Sequence, residues 1–285
     1  MGSLKVLHRI YFGFDNKQDI YLDYLETWKK ELPNYQIKYW NTENLPMDLN
    51  EYTQALFKEK DHAFLSDYFR WWILREYGGI YLDGDIEVIN GKKFNQLVEE
   101  LEASQEYDAF IGLEFKTQGY TAHSMASKKN SELTNFMCKV YENMGVLRHW
   151  RRKKWFVAPL LVDLYFYEKG IAQENLGFIE TDQPVIEGHV KIYPVDYFSP
   201  VVSYCANSIN NFQAYSSNTC ICHHFVGSWT LDLKIQKKRN IYFKDYLEAQ
   251  TKKKPKIIRI FSKIIQFTIK TLKSIPQKIK TLWEI

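Results

Sequence analysis

Two aspartates separated by one glycine, Asp83 and Asp85, are the residues whose types and spacing most directly suggest chemistry. They follow the apolar segment 80–82, and two neighbouring carboxylates are costly to bury unless a cation neutralises them. A divalent metal that bridges carboxylate oxygens and the oxygens of a diphosphate removes that cost. The spacing therefore indicates a metal and phosphate site, whereas an isolated pair of this kind is more often a solvated turn.

A second pair of charged residues precedes the aspartates. Asp67 and Arg70 are three residues apart in a segment predicted to be helical, so they share one helix face. An acid and a base in that position could bind a sugar hydroxyl and a phosphate, whereas such a pair alone is more often a surface ion pair. The double glycine 78–79 between this helix and the aspartates favours the site.

The elements that must position these residues follow from hydrophobic periodicity. A strand over 6–13, a helix over 20–32 and a strand over 36–40 form a βαβ beginning, which is typical of a parallel or mixed sheet covered by helices. A helix over 62–77 leads into one strand over 80–89, whose alternation places Tyr81, Asp83 and Asp85 on one face. Further strands are predicted over 109–113 and 190–193, and further helices over 131–144 and 156–169.

The composition limits the class of protein. The chain has 285 residues, of which 45% are hydrophobic and 25% charged, so it can form a large core and is neither disordered nor fibrous. No apolar run reaches the roughly 18 residues that span a bilayer. Four scattered cysteines do not suggest a disulfide framework, and we expect a reducing cytoplasm.

The C-terminal segment differs in charge from the rest. Residues 252–285 carry nine Lys and one Arg against one Glu, whereas residues 1–251 have a net charge of −5. We therefore expect a folded domain over 1–251 and a basic amphipathic helical segment over 252–285. The apolar residues that recur every three or four positions are Ile257, Phe261, Ile264, Thr268, Leu272, Ile275, Ile279 and Leu282.

Three roles for this segment remain open. Lysines around an apolar stripe suit an anionic membrane surface, which is our preferred interpretation. Packing on the domain or a coiled-coil seam of a homodimer is the second, and nucleic-acid binding is the least favoured.

The central block resembles a known family. The run Ala63-Phe64-Leu65-Ser66-Asp67-Tyr68-Phe69-Arg70, followed by Tyr77-Gly78-Gly79-Ile80-Tyr81-Leu82-Asp83-Gly84-Asp85, is similar to the D-x-D signature of glycosyltransferase family 32. That family contains bacterial capsule and O-antigen transferases and fungal mannosyltransferases, and the clostridial glucosylating toxins are related to it. Three further blocks fit: His8-Arg9-Ile10-Tyr11-Phe12-Gly13, Tyr39-Trp40-Asn41 and Cys222-His223-His224-Phe225-Val226-Gly227-Ser228-Trp229.

The resemblance implies an α/β fold of the GT-A type, a nucleotide-binding sandwich with a mixed central sheet, together with Mn²⁺ or Mg²⁺. It implies that Asp85, Asp83 and His223 hold the metal and that Asp67 and Arg70 hold the donor sugar and diphosphate. The other residues expected on the nucleotide-sugar are Tyr11, which would stack on uracil, Phe12, Tyr81, which would hydrogen-bond near the nucleotide, and Ser228 and Trp229, which would close over the diphosphate. Weaker candidates are His224, Glu114 and Asn41.

Other interpretations of the same residues are weaker. Cys220, Cys222, His223 and His224 are too tightly spaced for a usual structural zinc site, although a packed histidine pair remains an alternative. An aspartyl-phosphate phosphatase would need an acidic pair downstream, and the sequence contains no Asp-Asp pair. Glu114 follows a predicted strand and could reach a donor or acceptor sugar, or could be a surface carboxylate.

The expected function is therefore a retaining, metal-dependent transfer of a hexose, galactose first, from a UDP-sugar to a lipid-linked oligosaccharide in surface polysaccharide synthesis. We expect the enzyme on the inner face of the cell membrane, without a nucleic-acid partner. The rivals are a toxin-like transferase that modifies a host protein and a non-enzymatic, membrane-peripheral sugar-binding scaffold.

The membrane interpretation of residues 252–285 predicts that the full chain co-sediments with anionic vesicles and that a chain ending at Thr251 does not. Each lysine near such a surface adds about 1 kcal/mol, so the difference disappears in neutral vesicles. Equal co-sedimentation of both chains with anionic vesicles contradicts the interpretation.

Overall fold

The computed structural model describes residues 3–114, 119–144, 158–170, 181–200 and 215–224, which all belong to one compact unit. The helices in these ranges are α1 (Leu22–Glu31), α2 (Glu51–Lys58), α3 (His62–Tyr77), α4 (Gly91–Ala103), α5 (Glu132–Met144), α6 (Ala158–Glu168) and α7 (Val195–Phe198). The strands are β1 (Val6–Ile10), β2 (Gln36–Trp40), β3 (Gly79–Leu82), β4 (Ile86–Val88), β5 (Ala109–Leu113), β6 (Tyr120–Ser127), β7 (Val185–Glu187), β8 (Val190–Tyr193) and β9 (Ile221–His223).

Seven of these strands form one mixed sheet in the order β2-β1-β3-β6-β5-β8-β7. Strand β1 pairs in parallel with β2 and β3, while β6 pairs antiparallel with both β3 and β5. Strand β8 pairs in parallel with β5 and antiparallel with β7. The expected α/β class with a mixed central sheet is confirmed. The strands predicted over 36–40, 109–113 and 190–193 have the predicted bounds.

Helices pack against the central sheet and bury its middle strands. Every residue of β3, β5 and β6 is buried, so β3 and β5 are continuous runs of apolar or small residues rather than alternating patterns. Strand β6 was not predicted, because it contains many polar residues although it is buried. These polar residues are Thr121, His123, Ser124 and Ser127. Helices α2 and α4 and strand β7 were also not anticipated.

The single strand predicted over 80–89 is wrong. The chain leaves the large sheet after Leu82, and β4 pairs with β9 in a separate antiparallel ribbon. Side chains of α1 hold β4 in its new place, since Trp28 Nε1 donates to the Ile86 carbonyl at 2.7 Å and Thr27 Oγ1 accepts from Val88 N–H at 3.0 Å. Asp83 and Asp85 therefore lie in the turn between two strands and not on one face of a continuous strand.

Helix α3 reaches β3 through two glycines with positive φ, Gly78 (67°) and Gly79 (97°), as the double glycine suggested. A Cβ on Gly79 would lie 2.9 Å from His8 Nε2, so the glycine leaves room for that imidazole. His8 Nε2 donates to the Gly78 carbonyl at 2.8 Å, and His8 Nδ1 accepts from Trp40 Nε1 at 3.1 Å. One neutral tautomer of His8 thus ties β1, β2 and the glycine turn together.

Some predicted features fall outside the described residues. These are Ser228 and Trp229, the start of the helix predicted over 156–169, and the whole of 252–285 with its boundary at residue 251. Within the part of the chain that the structure describes, no helix has both the length and the apolar character needed to cross a bilayer.

The buried His8 predicts a pH-dependent stability. Burial lowers its pKa from 6.5 to about 4, so between these values the unfolded chain binds a proton that the folded chain does not, and stability falls as the pH decreases. Between pH 7.5 and pH 5.0 the loss that His8 contributes is about 2 kcal/mol in the free energy of unfolding. Urea unfolding of wild type and His8→Gln at both pH values measures it.

Gln can make both hydrogen bonds of His8 but does not titrate. Acidification therefore lowers the free energy of unfolding of His8→Gln by about 2 kcal/mol less than that of wild type. Carboxylates elsewhere titrate equally in both proteins and cancel in the comparison. Parallel pH profiles of the two proteins contradict the assignment.

Candidate functional site

Helix α3 presents Asp67 and Arg70 to the end of β3. The helix starts at the Asp61 cap, whose side chain accepts from Phe64 N–H. Arg70 Nη2 lies 2.9 Å from Asp67 Oδ1 and 3.4 Å from Asp83 Oδ1, and only 7% of the Arg70 side chain is exposed. The prediction that Asp67 and Arg70 share a helix face is confirmed, and the same guanidinium also reaches the first aspartate of the turn.

Further contacts fix this guanidinium in place. Arg70 Nε donates to the Ser66 carbonyl at 3.1 Å, and Nη1 donates to the Ala122 carbonyl of β6. The Arg70 Cζ atom lies 4.9 Å from the centre of the Tyr81 ring. The Tyr81 hydroxyl donates to Asp83 Oδ1 at 2.5 Å, and burial raises the pKa of Tyr81 well above its usual 10. Asp83 is thus held by a cation and a hydroxyl.

The ribbon of β4 and β9 brings His223 to the aspartates. Ile86 pairs with His223, and the His224 N–H donates to the Asp85 carbonyl at 3.1 Å. His223 Nε2 consequently lies 3.3 Å from Asp85 Oδ1. One ligand atom from each of Asp83, Asp85 and His223 lies within 4.8 Å of the other two. The structure thus gathers the three residues that sequence analysis expected around a metal.

His224 takes a different direction from His223. Its Nε2 lies 2.7 Å from Glu87 Oε2, and its ring packs 5.0 Å from that of Tyr24. Cys220 and Cys222 are buried free thiols and belong to neither of the metal-ligand groupings found among the described residues. The adjacent histidines therefore have separate environments, and His223 is the one beside Asp85.

The three residues fit a divalent cation. Two carboxylates and one imidazole form a ligand set compatible with Mn²⁺ or Mg²⁺. Burial lowers the pKa of His223, but the carboxylates of Asp85, Asp83 and Glu114 more than offset burial and leave that pKa raised. The raised pKa of His223 thus reflects the negative charge of the three carboxylates, which a bound cation would also neutralise.

Glu114 lies on the other side of the His223 ring. Its Oε1 is 3.9 Å from His223 Nδ1 and 3.9 Å from His123 Nε2, and the two imidazole rings are 4.1 Å apart. The weaker candidate Glu114 is therefore part of the cluster, not an exposed surface group. His123 was missed, and the polar residues at 121, 123 and 124 in a buried strand are the signal that could have found it.

Burial dominates the protonation of the remaining carboxylates. It raises the pKa of Asp67 to about 6 and that of Glu114 to about 7, against the opposing effects of Arg70 and His223. It also raises the pKa of Asp83. Asp67 accepts a further hydrogen bond from the backbone N–H of Ala158, at the first residue of α6. The site thus has an excess of carboxylates over cationic side chains.

The candidates that follow the first two strands lie in the two loops after β1 and β2. The Tyr11 hydroxyl donates to the Lys17 carbonyl at 2.9 Å, and the ring of Phe12 stacks on Phe14 at 5.7 Å. The Asn41 side chain accepts from the Glu43 N–H and so closes its own turn. Among the described contacts, none joins Tyr11, Phe12 or Asn41 to the carboxylates.

A buried ion pair fixes the loop after β1, and Tyr21 from the end of this loop packs on the turn of the aspartates. Arg9 Nη2 lies 2.5 Å from Asp19 Oδ2, and Asp19 Oδ1 accepts from the Tyr21 N–H at 2.9 Å. A Cβ on Gly84 would lie 2.9 Å from Tyr21 Cδ2, so the Tyr21 ring covers the glycine between the two aspartates. Sequence analysis had no signal for Tyr21, because nothing in its local pattern indicates what it packs against.

Comparison with known proteins agrees with this geometry. Residues 19–105 match the family model described as a glycosyltransferase sugar-binding region containing a DXD motif. The matched range contains Asp67, Arg70, Asp83 and Asp85. The chain thus carries a glycosyltransferase region, and we assign it to that class of enzyme. No curated protein sequence matches the chain.

Several solved structures are similar to the chain at low identity. PaToxG glycosyltransferase is 16% identical, with 58% of this chain and 68% of that one covered and a TM-score of 0.44. A glycosyltransferase involved in glycosylation of the major capsid of PBCV-1 is 9% identical over 76% and 92%, with a TM-score of 0.40. Mouse xyloside xylosyltransferase 1 is 12% identical over 76% and 83%, with a TM-score of 0.41. The assignment rests on the family match.

The buried guanidinium of Arg70 predicts a large effect on the stability of the fold. Arg70→Gln leaves Asp67 and Asp83 without their counter-charge, so we expect the free energy of unfolding to fall by about 3–5 kcal/mol at neutral pH. Adding Asp67→Asn restores part of the loss, because one uncompensated carboxylate is removed. Urea unfolding of the single and double variants measures both effects.

Arg75→Gln on the same helix is the matched control. Arg75 pairs with Glu76 and Glu142, whose side chains are 39% and 37% exposed and stay hydrated without it, so its loss costs only about 1 kcal/mol. Equal destabilisation by the two arginine variants contradicts the role of Arg70.

Proposed function

We propose that this chain is a metal-dependent, retaining glycosyltransferase of the GT-A type, related to glycosyltransferase family 32, that transfers a hexose from a UDP-sugar. The observation that carries the proposal is the meeting of Asp83, Asp85 and His223 beside the Asp67–Arg70 pair. These residues come from three separate parts of the chain. If this cluster served only stability, we would expect each buried carboxylate to have a cationic partner. Here the carboxylates outnumber the arginines.

In this proposal Asp85, Asp83 and His223 hold Mn²⁺ or Mg²⁺. The metal would neutralise negative charge that develops on the departing UDP. Arg70 is fixed by two backbone carbonyls and two carboxylates, so its guanidinium is oriented before the donor binds. Asp67, with its pKa near 6, is a suitable hydrogen-bond partner for hydroxyls of the donor sugar or ribose.

The nucleotide would lie across the C-terminal end of β1. Tyr11 is partly exposed in the loop that follows this strand and is proposed to stack on the uracil. Tyr81 would act on the nucleotide indirectly, through its hydrogen bond to Asp83. Ser228 and Trp229 are proposed to close over the diphosphate; both lie outside the described residues.

Transfer with retention requires the acceptor hydroxyl to bond to the anomeric carbon on the face that UDP leaves. The bond between that carbon and the β-phosphate oxygen breaks, and UDP departs with the bonding electron pair. The acceptor proton passes to the leaving phosphate oxygen. This balance needs no protein nucleophile, so none of the four carboxylates is assigned that role.

The acceptor in our proposal is a lipid-linked oligosaccharide of a surface polysaccharide, and galactose is the first sugar to test. The basic segment 252–285 supports an acceptor at the inner leaflet of the cell membrane, because its lysines and apolar stripe suit an anionic surface. The enzyme would then act as a peripheral protein on that surface.

The proposal predicts slow hydrolysis of a UDP-hexose by the purified full chain in the presence of Mn²⁺, with loss of activity after chelation. Asp85→Asn removes one metal ligand and lowers this rate by about 10²- to 10³-fold. Release of UDP measures it for UDP-galactose, UDP-glucose and UDP-N-acetylglucosamine in parallel.

Glu87→Gln is the matched control, because Glu87 lies two residues away and contacts His224 instead of His223. It retains activity within about threefold of wild type. Activity that persists in Asp85→Asn, or that does not depend on a divalent cation, contradicts the proposal.

A further inference from the structure

The two nitrogens of His223 face two different sets of ligand atoms. Nε2 lies 3.3 Å from Asp85 Oδ1, on the side of the two aspartates. Nδ1 lies 3.9 Å from Glu114 Oε1, on the side of His123. Asp83, Asp85 and His223 form an oxygen-rich set, and Glu114, His123 and His223 form a nitrogen-rich set.

These sets differ in the cation that they prefer. Two carboxylates and one imidazole suit Mg²⁺ or Mn²⁺, whereas two imidazoles and one carboxylate are a usual ligand combination for Zn²⁺. In the Irving–Williams order, Zn²⁺ also binds ligand sets with imidazole more tightly than Mn²⁺ does. The proposed function uses only the oxygen-rich set, so the nitrogen-rich set is unexplained by it.

We propose that Glu114, His123 and His223 form a second cation site that selects Zn²⁺ and competes with the oxygen-rich set for His223. One ligand atom from each residue lies within 4.8 Å of the others. Neighbouring ligands of a tetrahedral zinc with bonds of about 2.1 Å are roughly 3.4 Å apart, so small side-chain rotations bring the three atoms into range. Water supplies the fourth ligand.

The surroundings of Glu114 favour a cation there. Its side chain is 18% exposed, and the charged or titratable groups that face it among the described residues are His123, His223 and Asp83. A buried carboxylate next to another carboxylate is stabilised by a cation. His123 Nε2 contacts the Ser199 hydroxyl at 2.8 Å, and this hydroxyl must turn away when zinc binds.

Both cation sites use His223, so binding at one site affects binding at the other. Zinc bound through Nδ1 draws the ring toward Glu114 and away from Asp85, so the oxygen-rich set loses its imidazole. The two cations therefore bind in competition, and Zn²⁺ inhibits the metal-dependent transfer that we propose.

Direct binding tests the site without reference to activity. Zn²⁺ affinity of the full chain is measured by competition with a chromophoric chelator, and Mn²⁺ affinity by electron paramagnetic resonance of the free ion. We expect His123→Gln to weaken Zn²⁺ binding at least tenfold and to leave Mn²⁺ binding within threefold. Asp85→Asn has the opposite pattern, and His223→Gln weakens both.

Controls separate this site from other zinc ligands. His189→Gln alters an exposed histidine and leaves both affinities unchanged. If His123→Gln does not fold, as judged by circular dichroism, Glu114→Gln replaces it with the same expected pattern. Zn²⁺ affinity that is unaffected by His123→Gln and Glu114→Gln but lost in Asp85→Asn overturns the proposal, because zinc then binds the oxygen-rich set. Failure of UDP-sugar hydrolysis leaves this binding result unchanged.

Discussion

The antiparallel pairing of β4 with β9 is the interaction on which the site depends. It joins residues 86–88 to residues 221–223, which are more than 130 positions apart in the chain. Without it, His223 has no reason to lie beside Asp85, and the turn of the two aspartates would continue as an ordinary strand. Helix α1 supports the pairing through Trp28 and Thr27, which bind the backbone of β4 from its other side.

Charge is the second constraint. Asp67, Asp83, Asp85 and Glu114 surround Arg70 and two histidines, so the folded protein without a cation holds several carboxylates in a poorly hydrated site. Burial raises the pKa of Asp67, Asp83 and Glu114 for this reason. A bound divalent cation would relieve the same cost that raises these pKa values. Stability and ligand binding are therefore linked in this fold.

The sequence predicted the beginning of the fold well, because β1, α1 and β2 are local elements with clear periodicity and a proline stop. It also placed Asp67 and Arg70 on one helix face, since i,i+3 spacing needs no tertiary information. It failed at residues 80–89, where apolar residues return after the aspartates although the chain leaves the large sheet after Leu82. The pairing partner of β4 is remote, and local alternation carries no signal for such an exchange.

The candidate site was predicted in part. Asp83, Asp85 and His223 were named together through family resemblance, and the structure brings them into contact range. His123 was missed because its strand has a polar composition that resembles a loop. Tyr21 and the Arg9–Asp19 pair were missed because their importance comes from what they pack against, which a single sequence does not contain.

We propose that a nucleoside diphosphate binds through a cation held by Asp83, Asp85 and His223. The most direct measurement is the unfolding temperature of the full chain with UDP and with GDP, each with and without Mn²⁺. At 100 times the dissociation constant a ligand adds roughly 2.7 kcal/mol, which raises the unfolding temperature by about 5 °C or more. We predict this rise for UDP with Mn²⁺ and its loss in Asp85→Asn. A rise with GDP alone would indicate a GDP-sugar donor in place of a UDP-sugar. No shift with either nucleotide at millimolar concentration would contradict a nucleotide site at these residues.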